Sequence, residues 1–514
     1  MNQTQAEVDS GGLGRRGSRL VFALLAMASA CYLIYPVQDA DLFWHLVIGR
    51  WIRAHGELPT EEHWNYFGLG HPFRAYSWLA EICFSAVEDR FGWSGLFALQ
   101  TFLTLLLAGA LVGLFLRLSR SLTMTLLLTA FLYFSLRPFV VLRPQVVTFL
   151  AFVGITVAAE RIFEQKRLEI KSAALLIVLF ALWANTHIAM ILGLGWLGGW
   201  IFIPEKKYIC LTVKTLLVAL LGTCLTPYGI GVWLTFFSKI NHVNIYRYFL
   251  VEFAPVTPDN PFFPCWLLTA FCFAAVCFKG TPSPHFRKAV TTSFLLLGLY
   301  AVKFIPFALI ASLTFISLYG HPVWGKSLQR LIQLLKRPWS QVPSVICWIL
   351  ALILCSVVFG INLIAVVRMP PLERSLYPER TLDFVFEKKL PGPFLMIFGR
   401  GGYLMWRQAD ASGNVRWPVA IDGRTNILST EEMSSYLEMH EGREEWKTFI
   451  QDYNPGTIVW PESEPLTERL RGDKDWAEIA AAAFKDEEMS VFVQSSWLKT
   501  SDSSDTVQFS LLPE

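Results

Sequence analysis

Two aspartates, Asp39 and Asp41, stand directly after the first apolar run of the chain, and His45 follows one helical turn later. Carboxylates placed this way can take a proton from a hydroxyl. As a pair, Asp39 and Asp41 also meet the minimum for holding Mg²⁺ or Mn²⁺, although Asp-x-Asp alone is a short pattern. At helical spacing Asp41, His45, Gly49 and Arg53 share one stripe, and Leu42, Phe43, Trp44, Leu46, Val47, Ile48, Trp51 and Ile52 fill the rest. So apolar a helix, with its tryptophans, belongs in a membrane interface, its polar stripe turned to protein or to a wet cavity. The plainer alternative makes Asp39 a helix cap and Asp41 a first-turn residue favoured by the helix dipole. Spacing does not separate the two readings, but depth favours chemistry, because acids and a histidine at the end of a membrane span are costly unless used. A second amphipathic helix, expected over 78–91, adds Glu81 as another carboxylate among apolar neighbours, whereas Glu88 and Asp89 read as a solvated face.

Further along the chain, Arg137 and Arg143 each precede a proline in the turn between two apolar runs. Guanidinium groups there can bind a phosphate through paired N–H donors, or simply snorkel toward lipid headgroups. His187 lies two residues after Asn185 at a helical turn, Glu252 follows an aromatic run, and Lys303 interrupts an otherwise apolar hairpin. Each is a candidate substrate contact with a structural alternative, and Lys303 needs an anion, a lipid phosphate or a route to the interface.

The elements that must hold these residues are set by composition. Over 514 residues, the apolar set from Ala to Cys reaches 54%, charged residues only 17%, and mean hydropathy is +0.43. Soluble proteins carry about 25% charged residues. The chain therefore reads as a polytopic α-helical membrane protein, which excludes a cytosolic enzyme, a disordered chain and a nucleic-acid binder. Eleven apolar runs are expected to span: 20–37, 95–116, 121–136, 145–162, 172–186, 187–203, 211–226, 262–279, 289–302, 304–319 and 344–367. The first reads as an uncleaved span, because Gln38-Asp39-Ala40-Asp41 is no small-x-small cleavage site. With the N-terminus cytoplasmic, 19 of the 29 basic residues before position 371 fall in short inner connections, as the positive-inside rule demands. The expected location is the plasma (inner) membrane, with the long segments 38–94, 227–261 and 368–514 outside. Residues 1–19 then form a cytoplasmic tail, 20–367 the membrane domain and 368–514 a separate extracytoplasmic domain. That last part holds 25 acids and 15 bases. Strands are expected at 394–398, 419–421, 457–460 and 490–493, with a helix over 429–453 opened by the capping box Ser429-Thr430-Glu431-Glu432. The pattern is that of a small α/β domain. All nine cysteines lie in or beside apolar stretches without a CxxC pair and read as small apolar side chains.

Several motifs together carry a resemblance. They are Asp39-Ala40-Asp41-Leu42-x-Trp44-His45-Leu46, Gly49-Arg50-Trp51-Ile52, the aromatic loop ending in Trp78-Leu79-Ala80-Glu81, and Arg137-Pro138 with Arg143-Pro144. Trp183-Ala184-Asn185-x-His187, Thr226-Pro227-Tyr228-Gly229, Glu252-Phe253 and Ile421-Asp422-Gly423-Arg424 complete the set. The chain resembles bacterial polytopic proteins of the GT-C glycosyltransferase superfamily, relatives of the protein mannosyltransferase-like enzymes, over most of its length. The resemblance implies transfer of a sugar from a polyprenyl-phosphate donor to a glycan, lipid or protein acceptor, in the context of cell-envelope glycan assembly. It also implies that an acid in the first outer loop is the catalytic base or helps bind a metal, which by position falls on Asp39, with Asp41 beside it. A base near the late hairpin, Lys303 here, would meet a lipid phosphate. The rival class is a lipid or polysaccharide transporter or assembly subunit of the same fold. Such carriers usually show internal repeats and broken helices meeting at mid-membrane; here no repeat is evident and the polar groups gather toward one face.

Overall fold

The computed structural model describes residues 12–203, 205–241, 247, 250–279, 283–325, 344–425, 427–479 and 487–501. Each apolar run read as a span contains a helix, although 187–203 holds only the short Ile191–Gly198 between two 3-10 turns. The first part of the chain holds α1 (Gly12–Cys31), α2 (Asp41–His55), α3 (Trp78–Ser119), α4 (Leu122–Leu136), α5 (Gln145–Gln165), α6 (Ile170–Thr186) and α7 (Ile191–Gly198). It continues with α8 (Lys206–Thr223), α9 (Gly231–Asn241), α10 (Phe263–Lys279), α11 (His285–Tyr300), α12 (Ile305–Tyr319) and α13 (Ser344–Arg368). Among the described residues, five segments are long and apolar enough to cross a bilayer: Trp78–Ser119, Leu122–Phe139, Gln145–Gln165, Val302–Tyr319 and Ile349–Arg368. Shorter apolar helices accompany them, including Ile170–Thr186 and Phe263–Lys279.

The helices sort by burial. Every residue of α12 from Ile305 to Ser317 is buried, so this helix forms the centre of the bundle, where Phe307 packs on Phe149 and Phe152 of α5. The outward faces carry Leu350, Ile353 and Leu354 of α13 and Phe271 and Phe278 of α10, all exposed. A contiguous apolar exterior of this kind is stable against hydrocarbon and not against water, and the protein is membrane-embedded. At one end of the bundle Arg287 of α11 grips the buried Glu160 of α5 through two hydrogen bonds of 2.6 and 2.7 Å.

Two helix boundaries differ from the sequence reading. The first span stops at Cys31, short of residue 37. Pro36 lacks an N–H and pushes its neighbour out of helical geometry, and Val37 instead bonds to the start of the tail, donating to Pro371 O at 3.0 Å and accepting from Glu373 N at 2.9 Å. The amphipathic helix and the following span merge into the single 42-residue α3, bent at Gly92 with φ 61° and ψ −155°, a conformation essentially open only to glycine.

The tail contains a four-stranded sheet of order β1-β2-β4-β3, with β1 Phe394–Met396, β2 Thr457–Pro461, β3 Trp476–Glu478 and β4 Met489–Gln494. β1 and β2 are parallel, with Leu395 opposite Ile458; β4 runs antiparallel to both β2 and β3. Helices α14 (Glu379–Glu387), α15 (Phe398–Gln408), α16 (Thr430–His440), α17 (Trp446–Tyr453) and α18 (Pro465–Arg471) accompany the sheet. The capping box forms as read, with Ser429 Oγ accepting from Glu432 N and Glu432 Oε2 accepting from Ser429 N. The helix it opens ends at His440 rather than running to 453, because the chain turns through Gly442 at φ 59° before α17 begins. Residues 419–421 are not a strand of the sheet. Their backbone is claimed by the first loop: Val419 N donates to Trp64 O at 2.8 Å and Val419 O accepts from Tyr66 N at 2.9 Å.

One apolar cluster joins the two parts of the chain. Phe43 of α2 meets Tyr377, Tyr403 and Trp406 of the tail with ring centroids 4.8, 4.9 and 5.4 Å away. The apolar face of α2, expected in a membrane interface, is therefore covered by α3 on one side and by α15 on the other.

Candidate functional site

The turns that follow α1, α4, α6 and α11 all lie at the end of the bundle where the tail sits, and they converge on one cavity of about 560 Å³. Its lining includes the polar residues Asp41, His45, Tyr76, Arg143, Glu252 and Lys303 and the apolar residues Ile191, Leu192, Phe236, Leu297, Phe304 and Phe307. A site with this mixed lining suits a ligand that is itself half lipid and half polar.

Asp39 and Asp41 have different surroundings. Asp39 is buried and does not line the cavity: its Oδ1 accepts from Asp41 N at 2.8 Å, closing the start of α2, and its Oδ2 accepts from Arg143 Nε at 2.5 Å. Asp41 lines the cavity, with Arg143 Nη1 at 3.2 Å from its Oδ2. The same Nη1 lies 3.2 Å from Glu252 Oε2, so one guanidinium serves three carboxylates from two distant stretches of chain. Pro144 follows Arg143 directly and opens α5, which fixes where the guanidinium emerges. Burial is the largest influence on Asp41 and raises its pKa; Arg143 opposes this, Asp39 and Glu252 reinforce it, and the result is a carboxyl pushed up to about 7.

The expected metal pair does not fit this arrangement. Both oxygens of Asp39 are engaged, and the Arg143 guanidinium lies between Asp39, Asp41 and Glu252, where a cation shared by those acids would have to sit. Among the described residues no group of three His, Cys, Asp or Glu side chains is placed to hold a metal ion.

Glu81 stands behind the cavity. It is 1% exposed, and its Oε1 lies 3.0 Å from Nδ1 of His45, which does line the cavity. One side of α2 is thus a seam against α3: Arg50 binds Glu88 at 2.6 Å and Arg53 binds Asp89 at 2.5 Å, so Glu88 is a buried ion-pair partner rather than part of a solvated face, whereas Asp89 is exposed as expected. Glu88 also accepts from the Trp406 indole at 2.9 Å, a link to the tail. Arg137 is not part of the cavity lining; its guanidinium lies 4.6 Å over the Tyr32 ring and 5.7 Å from that of Tyr35, held by cation–π contacts. His187 lines the cavity and bonds through Nδ1 to Thr148 Oγ1 at 2.8 Å, whereas Asn185 accepts from the Trp78 indole at 2.7 Å and is structural. Lys303 lines the cavity with its ammonium 3.6 Å over the Phe253 ring.

The residues that sequence reasoning left out come from the tail and from the loop before α3. Gly423, Arg424 and Thr425 form a wall of the cavity, and Tyr76 faces it from the loop. Arg424 is locked by two buried acids, with Asp422 at 2.8 and 2.7 Å and Glu62 of the first loop at 2.7 Å. This places Gly423 against the base candidate: a Cβ there would fall 1.9 Å from Asp41 Oδ1, so any larger residue must displace that carboxylate. The signal present in the sequence was the Asp422-Gly423-Arg424 turn, but its partner Glu62 lies 362 positions away.

No family model matches the chain, and no curated protein sequence matches it. The architecture defines a class nonetheless: a membrane-embedded helical bundle of GT-C-like fold, with a helix-bearing loop after the first helix and a tail over the cavity. A solved structure of this fold is the archaeal oligosaccharyltransferase AglB from Archaeoglobus fulgidus, in complex with an inhibitory peptide and a dolichol-phosphate. The two are similar with a TM-score of 0.50 over 95% of this chain and 75% of that one, at 10% sequence identity.

Proposed function

We propose that this protein is a membrane glycosyltransferase that moves a sugar from a polyprenyl-phosphate donor to an acceptor hydroxyl. The observation that carries the reading is the cavity, whose apolar lining suits an isoprenoid chain and whose polar lining presents a carboxyl, Asp41, paired with Arg143, and a second cation, Lys303. The likeness to a fold that holds a dolichol-phosphate in AglB supports it. Asp41, rather than Asp39, is the general base: it faces the cavity and its raised pKa suits proton acceptance near neutrality. Lys303, with Arg143, stabilises the departing phosphate, and Asp39 and Glu252 hold Arg143 in place. Eleven crossings from a cytoplasmic N-terminus put the cavity and the tail on the extracytoplasmic face of the plasma membrane, where the acceptor is a glycan, lipid or protein.

The test is turnover by the purified protein in lipid nanodiscs, using polyprenyl-phosphate hexose and pentose donors with labelled sugars. The Asp41→Asn variant should lose about 10²–10⁴-fold in transfer, with donor binding kept. Wild-type transfer in that variant would overturn the assignment, and labelled lipid crossing a bilayer without sugar release would favour a carrier.

A further inference from the structure

We infer that His45 and Glu81 form a relay that takes the proton from Asp41 after each transfer, with Glu81 a positioning residue behind the imidazole; this rests on the transferase reading above. His45 lies four residues after Asp41 on α2, and the i, i+4 relation puts both side chains on one face, one turn apart. Glu81 comes from α3 on the far side of the ring, and its Oε1 lies 3.0 Å from Nδ1. Both groups are nearly inaccessible, at 4% and 1% exposure, but only His45 borders the cavity. The order is therefore cavity, imidazole, carboxylate. A carboxylate bonded to Nδ1–H fixes the ring tautomer and leaves Nε2 as the basic nitrogen. The ring plane is held too, by Trp44 with centroids 3.5 Å apart and by the edge of Phe84 at 6.5 Å.

A purely structural pair would serve to fasten α2 to α3. That joint is already made further along the same helices by Arg50–Glu88 and Arg53–Asp89. The His45–Glu81 pair differs in lying at the cavity end, next to the base. The other ionisable groups that border the cavity with the ring are Asp41 on its own helix, Tyr76 from the loop before α3, Arg143 and Glu252, and Arg424 from the tail. Lys303 and His187 border the same cavity.

The relay gives the transferred proton an exit. In transfer the acceptor O–H bond breaks while its oxygen bonds to the anomeric carbon. The bond from that carbon to the phosphate oxygen breaks, and its electron pair leaves with the phosphate. The hydroxyl proton passes to Asp41, which must shed it before the next acceptor. His45 Nε2 accepts it, the resulting imidazolium is balanced by the Glu81 carboxylate, and the proton is released to water when product leaves.

The experiment compares Asp41→Asn, His45→Ala and Glu81→Gln in nanodiscs, following kcat and KM across pH, with thermal unfolding as a check on folding. Asp41→Asn should be inactive at every pH. His45→Ala should lose about 10²-fold in kcat with KM little changed, and free imidazole, which the vacated space admits, should restore part of it. Glu81→Gln keeps an oxygen to accept from Nδ1–H and so keeps the fold. Removing its charge weakens imidazolium, and the acid limb of the kcat profile should move down by about one pH unit or more. An unchanged limb in Glu81→Gln with no imidazole rescue of His45→Ala, while Asp41→Asn is inactive, overturns the relay and leaves the transferase reading standing. Should His45→Ala fail to fold, the Glu81→Gln profile alone decides. Full activity of Asp41→Asn overturns the transferase reading and removes the relay with it.

Discussion

Asp41 shows how burial and charge set the behaviour of a single side chain. Its carboxyl is pushed from 3.8 to about 7, chiefly by burial and against the pull of Arg143. An acid that holds its proton more tightly in the folded state contributes stability that is fully present below its unfolded pKa and is lost as pH rises through the folded one. For Asp41 that window runs from about pH 4 to about pH 7, the range in which transfer, which needs the carboxylate, should switch on. Asp41→Asn stays neutral throughout. The variant should therefore gain melting temperature relative to the wild type between pH 5 and pH 8, in detergent or nanodiscs. A difference constant across that range would show that Asp41 ionises normally.

At the scale of elements, the tail turn 422–425 and helix α2 behave as one unit. The buried triad of Glu62, Asp422 and Arg424 fixes the turn, and the turn brings Gly423 against the Asp41 carboxylate. Breaking such a buried ion pair is costly because it strands a charge, so the turn is held rigidly where it touches the site. Gly423→Ala should leave the triad and the tail intact but push the Asp41 carboxylate aside. Displacement of a reacting group by about 1 Å can cost about 10²-fold, and a loss of that order in kcat, with unfolding temperature nearly unchanged, is the expected outcome. Wild-type kcat in Gly423→Ala would mean that the turn and Asp41 are not in contact during turnover.

For the molecule as a whole, the cavity draws on turns after α1, α4, α6 and α11 and on the tail, so all of them must lie on one side of the membrane. The bases of the opposite connections, Arg287 among them, lie on the other side, and the proposed orientation, with the cavity outside, puts them in the cytoplasm, in line with the positive-inside rule. Reporter fusions after Lys279 and Arg368 should read cytoplasmic and extracytoplasmic respectively. A cytoplasmic signal after Arg368 would remove the odd number of crossings and move the cavity to the inner face.

Much of this was legible in the chain itself. Apolar runs long enough to span a bilayer had to be largely helical, because in hydrocarbon only a helix satisfies its own backbone, and a helix lies in each run, with 20–37 cut short at Cys31 and 187–203 broken by 3-10 turns. The capping box at Ser429 is local chemistry and formed as read. The polar residues of the first loop were equally visible, since acids and histidines beside a span stand out against their surroundings. What no local pattern carries is which of two neighbouring acids faces a ligand. Asp39 and Asp41 differ only in that one meets Arg143 Nε and a backbone N–H while the other meets the cavity, and Arg143 lies about a hundred positions away. The same holds for residues 419–421, strand-like in sequence but bonded to the first loop, and for the apolar face of α2, which found Tyr403 and Trp406 rather than lipid. Periodicity and propensity act over a few residues and determined the helices. Long-range pairing of charges and aromatic rings, which depends on the packing of the whole chain, decided the site.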